Sequence, residues 1–107
     1  MTTFDDRERA FETKFARDED MAFRLTARRN RLLGQWAAEK LGLSGAEADA
    51  YAKSVVAADF EAAGDDDVFR KIRKDFDAKS VPQSDHQIRR TMDELLGKAI
   101  QQLQTEA

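Results

Sequence analysis

Residues 21–43, MAFRLTARRNRLLGQWAAEKLGL, restrict this chain more than any other stretch. They read as one helix. At roughly 100° per residue, Met21, Leu25, Leu32, Trp36 and Leu43 fall within one narrow arc, and Leu33 and Ala37 widen it. A helix with such a stripe needs cover, because packing of the apolar face supplies most of its stability. The cover is expected from three later stretches, each apolar on one face only. Arg24, Arg28 and Arg31 fall to one side of the stripe. Arg29 is placed near Trp36, where its stem can pack while its guanidinium reaches outward.

The punctuation divides the rest of the chain. Gly42 is a candidate C′ glycine ending the first helix. Ser44 with Glu47 forms a capping box for the second, with Leu43 as its staple residue. That helix carries Ala48, Tyr51, Ala52, Val55, Val56 and Ala62 on one face, small residues that permit close helix approach, and Asp59 shares the face as a boundary or ion-paired position. Gly64 and Asp65–Asp67 then open a third helix. Its Arg70, Lys71, Arg73 and Lys74 follow the acidic triplet, an order that complements the helix dipole at both ends. The triplet lacks the alternating oxygen ligands and closing Glu of a calcium loop, so no metal site is expected. Val68, Phe69, Ile72 and Phe76 form the third stripe. Ser80–Gln83, with the only proline at 82, makes the next break, and Ser84 with Gln87 is a further capping box. Ile88, Met92, Leu95, Leu96, Ala99 and Leu103 give the last stripe, weakened at Gly97, while His86 is expected to face solvent. The reading is all-α: a four-helix bundle over 18–107, with helices at about 20–41, 45–63, 66–79 and 85–104.

Residues 1–17 stand apart. Phe4, Phe11 and Phe15 line up within about 40° on a helical wheel, among Asp, Arg, Glu and Lys. Burying three Phe yields roughly 2 kcal/mol each, whereas ordering the segment costs about 1 kcal/mol or more per residue. The segment is therefore expected to be a mobile amphipathic arm that a partner groove can fold. The competing reading packs the three Phe on the bundle.

Composition removes most function classes. Zero cysteines exclude disulfides and thiolate metal sites, and a single histidine without a glycine-rich loop offers no catalytic constellation. No catalytic residues, cofactor or metal are expected, so the chain reads as an interaction protein and not an enzyme. No apolar run approaches the roughly 20 residues of a membrane span, and the N-terminus lacks a signal-peptide core. The net charge of −3 argues against nucleic acid as the default partner. The alternative is a small nucleotide- or nucleic-acid-binding protein that uses Arg24, Arg28, Arg29 and Arg31, the second candidate binding set.

The strings FDDRERAFETKF at 4–15, ARRNRLLGQWAAEKLGL at 27–43 and AYAKSVVAADF at 50–60, with GDDDVFRKI and IRRTMDELL later, closely resemble the zeta subunit of bacterial F-type ATP synthases. The resemblance spans essentially the whole chain. It implies a four-helix bundle in the cytoplasm, peripheral to the membrane-bound synthase without inserting into the membrane. It also implies inhibition of ATP hydrolysis, with an N-terminal arm entering an interface between α and β subunits beside the central rotor. Carried over by position, Phe4, Phe11 and Phe15 would supply the apolar contact, and Arg7, Arg9, Lys14 and Arg17 would pair with subunit carboxylates.

Overall fold

The computed structural model describes residues 19–59 and 65–106. The proposed arm, Phe60 to Gly64 and the last residue lie outside this set. Four helices follow in order: α1 Glu19–Lys40, α2 Gly45–Ala58, α3 Asp65–Ala78 and α4 Asp85–Glu106. There is no strand among the described residues. α1 packs on both α2 and α4, and α3 closes the bundle against α2 and α4.

Helix length shapes the core. α1 and α4 each have 22 residues, α2 and α3 only 14. At 1.5 Å rise the long pair outreaches the short pair by about 12 Å. One cluster therefore draws on all four helices: Leu33, Ala37, Val55, Val68, Ile72, Phe76, Ile88 and Met92. A second cluster, Leu25, Ala99, Ile100 and Leu103, belongs to α1 and α4 alone.

The buried face of α1 is rotated from the predicted arc by roughly a third of a turn. Its centre is Leu33, Ala37 and Ala38, all fully buried, with Leu25, Arg29, Asn30 and Gly34 around them. Met21, Leu32, Trp36 and Leu43 are only partly buried. Trp36 meets Phe76 edge-on, with ring centroids 5.6 Å apart, at the rim of the main cluster. The reason for the rotation is Gly34. A Cβ there would lie 2.6 Å from the Ala52 Cα, so the α1 and α2 backbones touch at this pair. The small residues of α2 do permit close approach, as expected.

Three of the predicted end signals form in detail and one does not. Gly42 takes φ 78°, and Leu43 N–H bonds Ala38 O at 2.9 Å while Gly42 N–H bonds Glu39 O, which is a Schellman ending. α3 ends the same way at Ser80, a non-glycine at φ 57°, with Val81 N–H on Phe76 O at 2.8 Å. Ser84 and Gln87 exchange both bonds of a capping box, at 2.9 and 3.1 Å. The box expected at Ser44 and Glu47 does not form. Ser44 makes no side-chain cap bond, and the next residue, Gly45, enters the helix in a left-handed turn at φ 57°.

One further expectation lies partly outside the described residues, and another is corrected. α2 runs to Ala58 with Asp59 as its C-cap, where the Asp59 N–H turns back to Val56 O, and the rest of the expected stretch to residue 63 lies outside the described residues. The α3 cations do not complement its C-terminal dipole, since its last turn holds no basic residue. They bind carboxylates instead: Arg70 with Asp67, Lys71 with Asp75, and Arg73 with both Asp77 and Asp85. Asp66 reaches Arg89 of α4, whose guanidinium lies 4.1 Å from the Phe69 ring centroid. Tyr51 of α2 donates to Asp75 at 2.8 Å, and burial together with that bond pushes its phenol pKa up. These contacts hold α3 to its neighbours.

Candidate functional site

The seven arm residues, Phe4, Arg7, Arg9, Phe11, Lys14, Phe15 and Arg17, lie outside the described residues. What the structure does show is what stands beside the start of α1. Beyond the end of the four-helix core, α1, α2 and α4 enclose a groove of about 690 Å³. Its floor is Phe23, Ala27, Val56, Ala57 and Leu103, and its rim is Arg24, Arg28, Arg31, Lys53 and Glu106. Phe23 is 53% exposed, the one large apolar side chain so exposed among the described residues.

Three of the four arginines in the second candidate set meet at this groove. Helical spacing explains it, because residues 24, 28 and 31 share a face at steps of four and three. Arg24 reaches Asp20 at 3.3 Å, and Arg31 lies 3.9 Å from Asp49, itself paired with Lys53. Those cations remain largely in solvent, where such pairs are weak. Arg28 differs. It makes a two-point bond to Glu106 at 2.7 and 2.8 Å and a third to Gln102 at 3.0 Å. That bond holds the Glu106 carboxyl below its ordinary pKa, and it ties α1 to the last turn of α4.

Arg29 is not on this face. It is 4% exposed and donates from Nε to Asn30 Oδ1 at 2.8 Å, so it does not snorkel outward. The rotation of α1 carries Asn30 toward α2, where it lines a recess with Val56 and Asp59, and Arg29 is held inside by its bond to Asn30. Sequence reasoning missed Phe23, Lys53 and Glu106 as groove residues. Phe23 carried a signal, an aromatic residue off the apolar arc, but Lys53 and Glu106 belong to other helices and are joined only by the fold. Among the described residues no group of His, Asp and Glu is placed to hold a metal ion, and no helix is long and apolar enough to cross a membrane.

Comparison with known proteins gives three findings. The model of the family described as ATPase inhibitor subunit zeta matches residues 1–102. A protein solved by solution NMR is 47% identical and superposes with a TM-score of 0.72, over 81% of this chain and 99% of that one. No curated protein matches this chain.

Proposed function

The chain belongs to the ATPase inhibitor subunit zeta family, and from that premise we propose that it stops ATP hydrolysis by the F-type ATP synthase. In this reading residues 1–17 enter an interface between α and β subunits beside the central rotor and block reverse rotation. Phe4, Phe11 and Phe15 fill an apolar groove there, and Arg7, Arg9, Lys14 and Arg17 pair with partner carboxylates. The bundle remains outside as a stop too bulky to follow the arm, at a synthase on the cytoplasmic face of a bacterial membrane.

The observation that carries this is the family match, which includes the arm as well as the bundle. A second observation supports the division of labour. Among the described residues, the two apolar clusters draw on side chains of α1 to α4 between positions 25 and 103. In this reading the arm's three Phe are held for a partner, because an apolar stripe on a charged segment marks an interaction site. The test removes residues 1–17 and assays ATP hydrolysis by the cognate synthase stripped of its own inhibitor. Loss of inhibition is expected. Full inhibition by the shortened chain would place the working surface on the bundle. Replacing Phe4, Phe11 and Phe15 by Ser separates the forces. Apolar docking predicts loss nearly as complete as the deletion, whereas docking by charge predicts retained inhibition that falls steeply with salt.

The groove favours a second reading, a nucleotide site on the bundle. Its volume falls in the usual ligand range of about 300–1,000 Å³, and it sets cations over an apolar floor. Titration of the labelled protein with ATP should then shift the resonances of Phe23, Ala27 and Val56. Salt-sensitive retention on duplex DNA would point to nucleic acid instead.

A further inference from the structure

Asn30 is fully buried in α1, beside the crossing with α2. Its Oδ1 accepts the bond from Arg29 Nε, which fixes the orientation of the amide, because an Asn flipped end for end would set two donors against each other. The Nδ2 that remains is buried and has no hydrogen-bond partner among the described residues. A buried donor without an acceptor is strongly unfavourable, so native structures rarely tolerate one.

Asn30 also lines a recess of about 20 Å³ between α1 and the end of α2, together with Phe23, Thr26, Ala27, Val56 and Asp59. Size and lining decide what it holds. A single water needs roughly 10–15 Å³ of such volume, so one water fits and nothing larger does. A buried water also needs about 2–4 polar partners, and Thr26, Asn30 and Asp59 are the polar members of the wall among the described residues. Asp59 has a partner of its own, and a carboxylate, with about four acceptor positions, can accept from a water beside it.

We propose that this recess is a binding site for one long-lived water, which accepts a hydrogen bond from Asn30 Nδ2 and donates to the Asp59 carboxylate. The water completes the polar pair Arg29–Asn30 inside an otherwise apolar contact. It also anchors Asp59, the C-cap of α2, to α1.

Water-selective NOE and ROE spectra of the labelled full-length protein test the site. The Asn30 side-chain amide protons should show a cross-peak to water with the sign of a rigidly held molecule. The Val56 and Ala27 methyl groups should show it too. A Thr26→Val variant removes transfer relayed through the hydroxyl proton, and the Asn30 cross-peak should survive it. In a folded Asn30→Leu variant the methyl cross-peaks should vanish. If that variant does not fold, the wild-type and Thr26→Val spectra decide alone. Absence of the cross-peak in the wild type, its loss in Thr26→Val, or methyl cross-peaks that persist in folded Asn30→Leu would each overturn the proposal.

Discussion

A methyl group at position 34 would sit 2.6 Å from the Ala52 Cα and 3.2 Å from its Cβ. The nearest atom is backbone, so relief requires the helices to separate. Gly34→Ala gains helix propensity of about 1 kcal/mol, yet overpacking at a tight contact costs typically 1–3 kcal/mol or more. We expect net destabilisation, read as a lower urea midpoint. Ala52→Gly should rescue it only in part, because the Ala52 Cα remains. Ser80 presents the opposite opportunity. It holds the left-handed C′ position of α3 at φ 57°, where a Cβ is strained and glycine is not. Ser80→Gly should stabilise by about 0.5–1 kcal/mol, a rise of a few degrees in Tm by thermal denaturation.

At the scale of the helices, the two Ser–x–x–Glu/Gln signatures look alike in sequence and differ in structure. The Ser84 and Gln87 box satisfies two orphan N–H groups at the start of α4, so Ser84→Ala should cost about 1 kcal/mol. Ser44 makes no side-chain cap bond, so Ser44→Ala should leave the urea midpoint unchanged. Equal losses in the two variants would contradict this. The tie between α1 and α4 has a pH signature. The bond from Arg28 lowers the Glu106 pKa from its ordinary 4.5. A carboxyl depressed in the folded state stabilises above its unfolded value and loses that contribution as pH falls through its folded value. Wild type should therefore exceed Glu106→Gln in stability above pH 4.5, and the two curves should converge as acid is added below it.

For the whole molecule, the proposed function assigns stability to the bundle and activity to the arm. If the arm docks on a partner as proposed, removing residues 1–17 should leave Tm almost unchanged while abolishing inhibition. A large fall in Tm would mean instead that Phe4, Phe11 and Phe15 pack on the bundle, the competing reading of that segment. The unequal helix lengths matter at this scale too. Among the described residues α1 and α4 are longer than α2 and α3, and the groove lies where α1 and α4 meet the last turns of α2.

Much of the fold was legible in the chain itself. Apolar spacing located the four helices, and Gly42, Ser80–Pro82 and the Ser84 box marked three of the boundaries, because these signals act through local backbone bonds. Family identity was legible as well, in strings such as ARRNRLLGQWAAEKLGL. The rotation of α1 was not. An apolar count weighs Leu and Trp heavily and Gly34, Ala37 and Ala38 hardly at all, yet a helix crossing is centred where backbones can approach. The same blindness hid the burial of Arg29 and Asn30, since polar residues are assigned to the surface unless a partner is visible. Nor could one helix's sequence announce that Arg24 and Arg31 would meet Lys53 of α2, or Arg28 the Glu106 of α4. Periodicity fixes which residues share a helix face, but only packing fixes what that face meets.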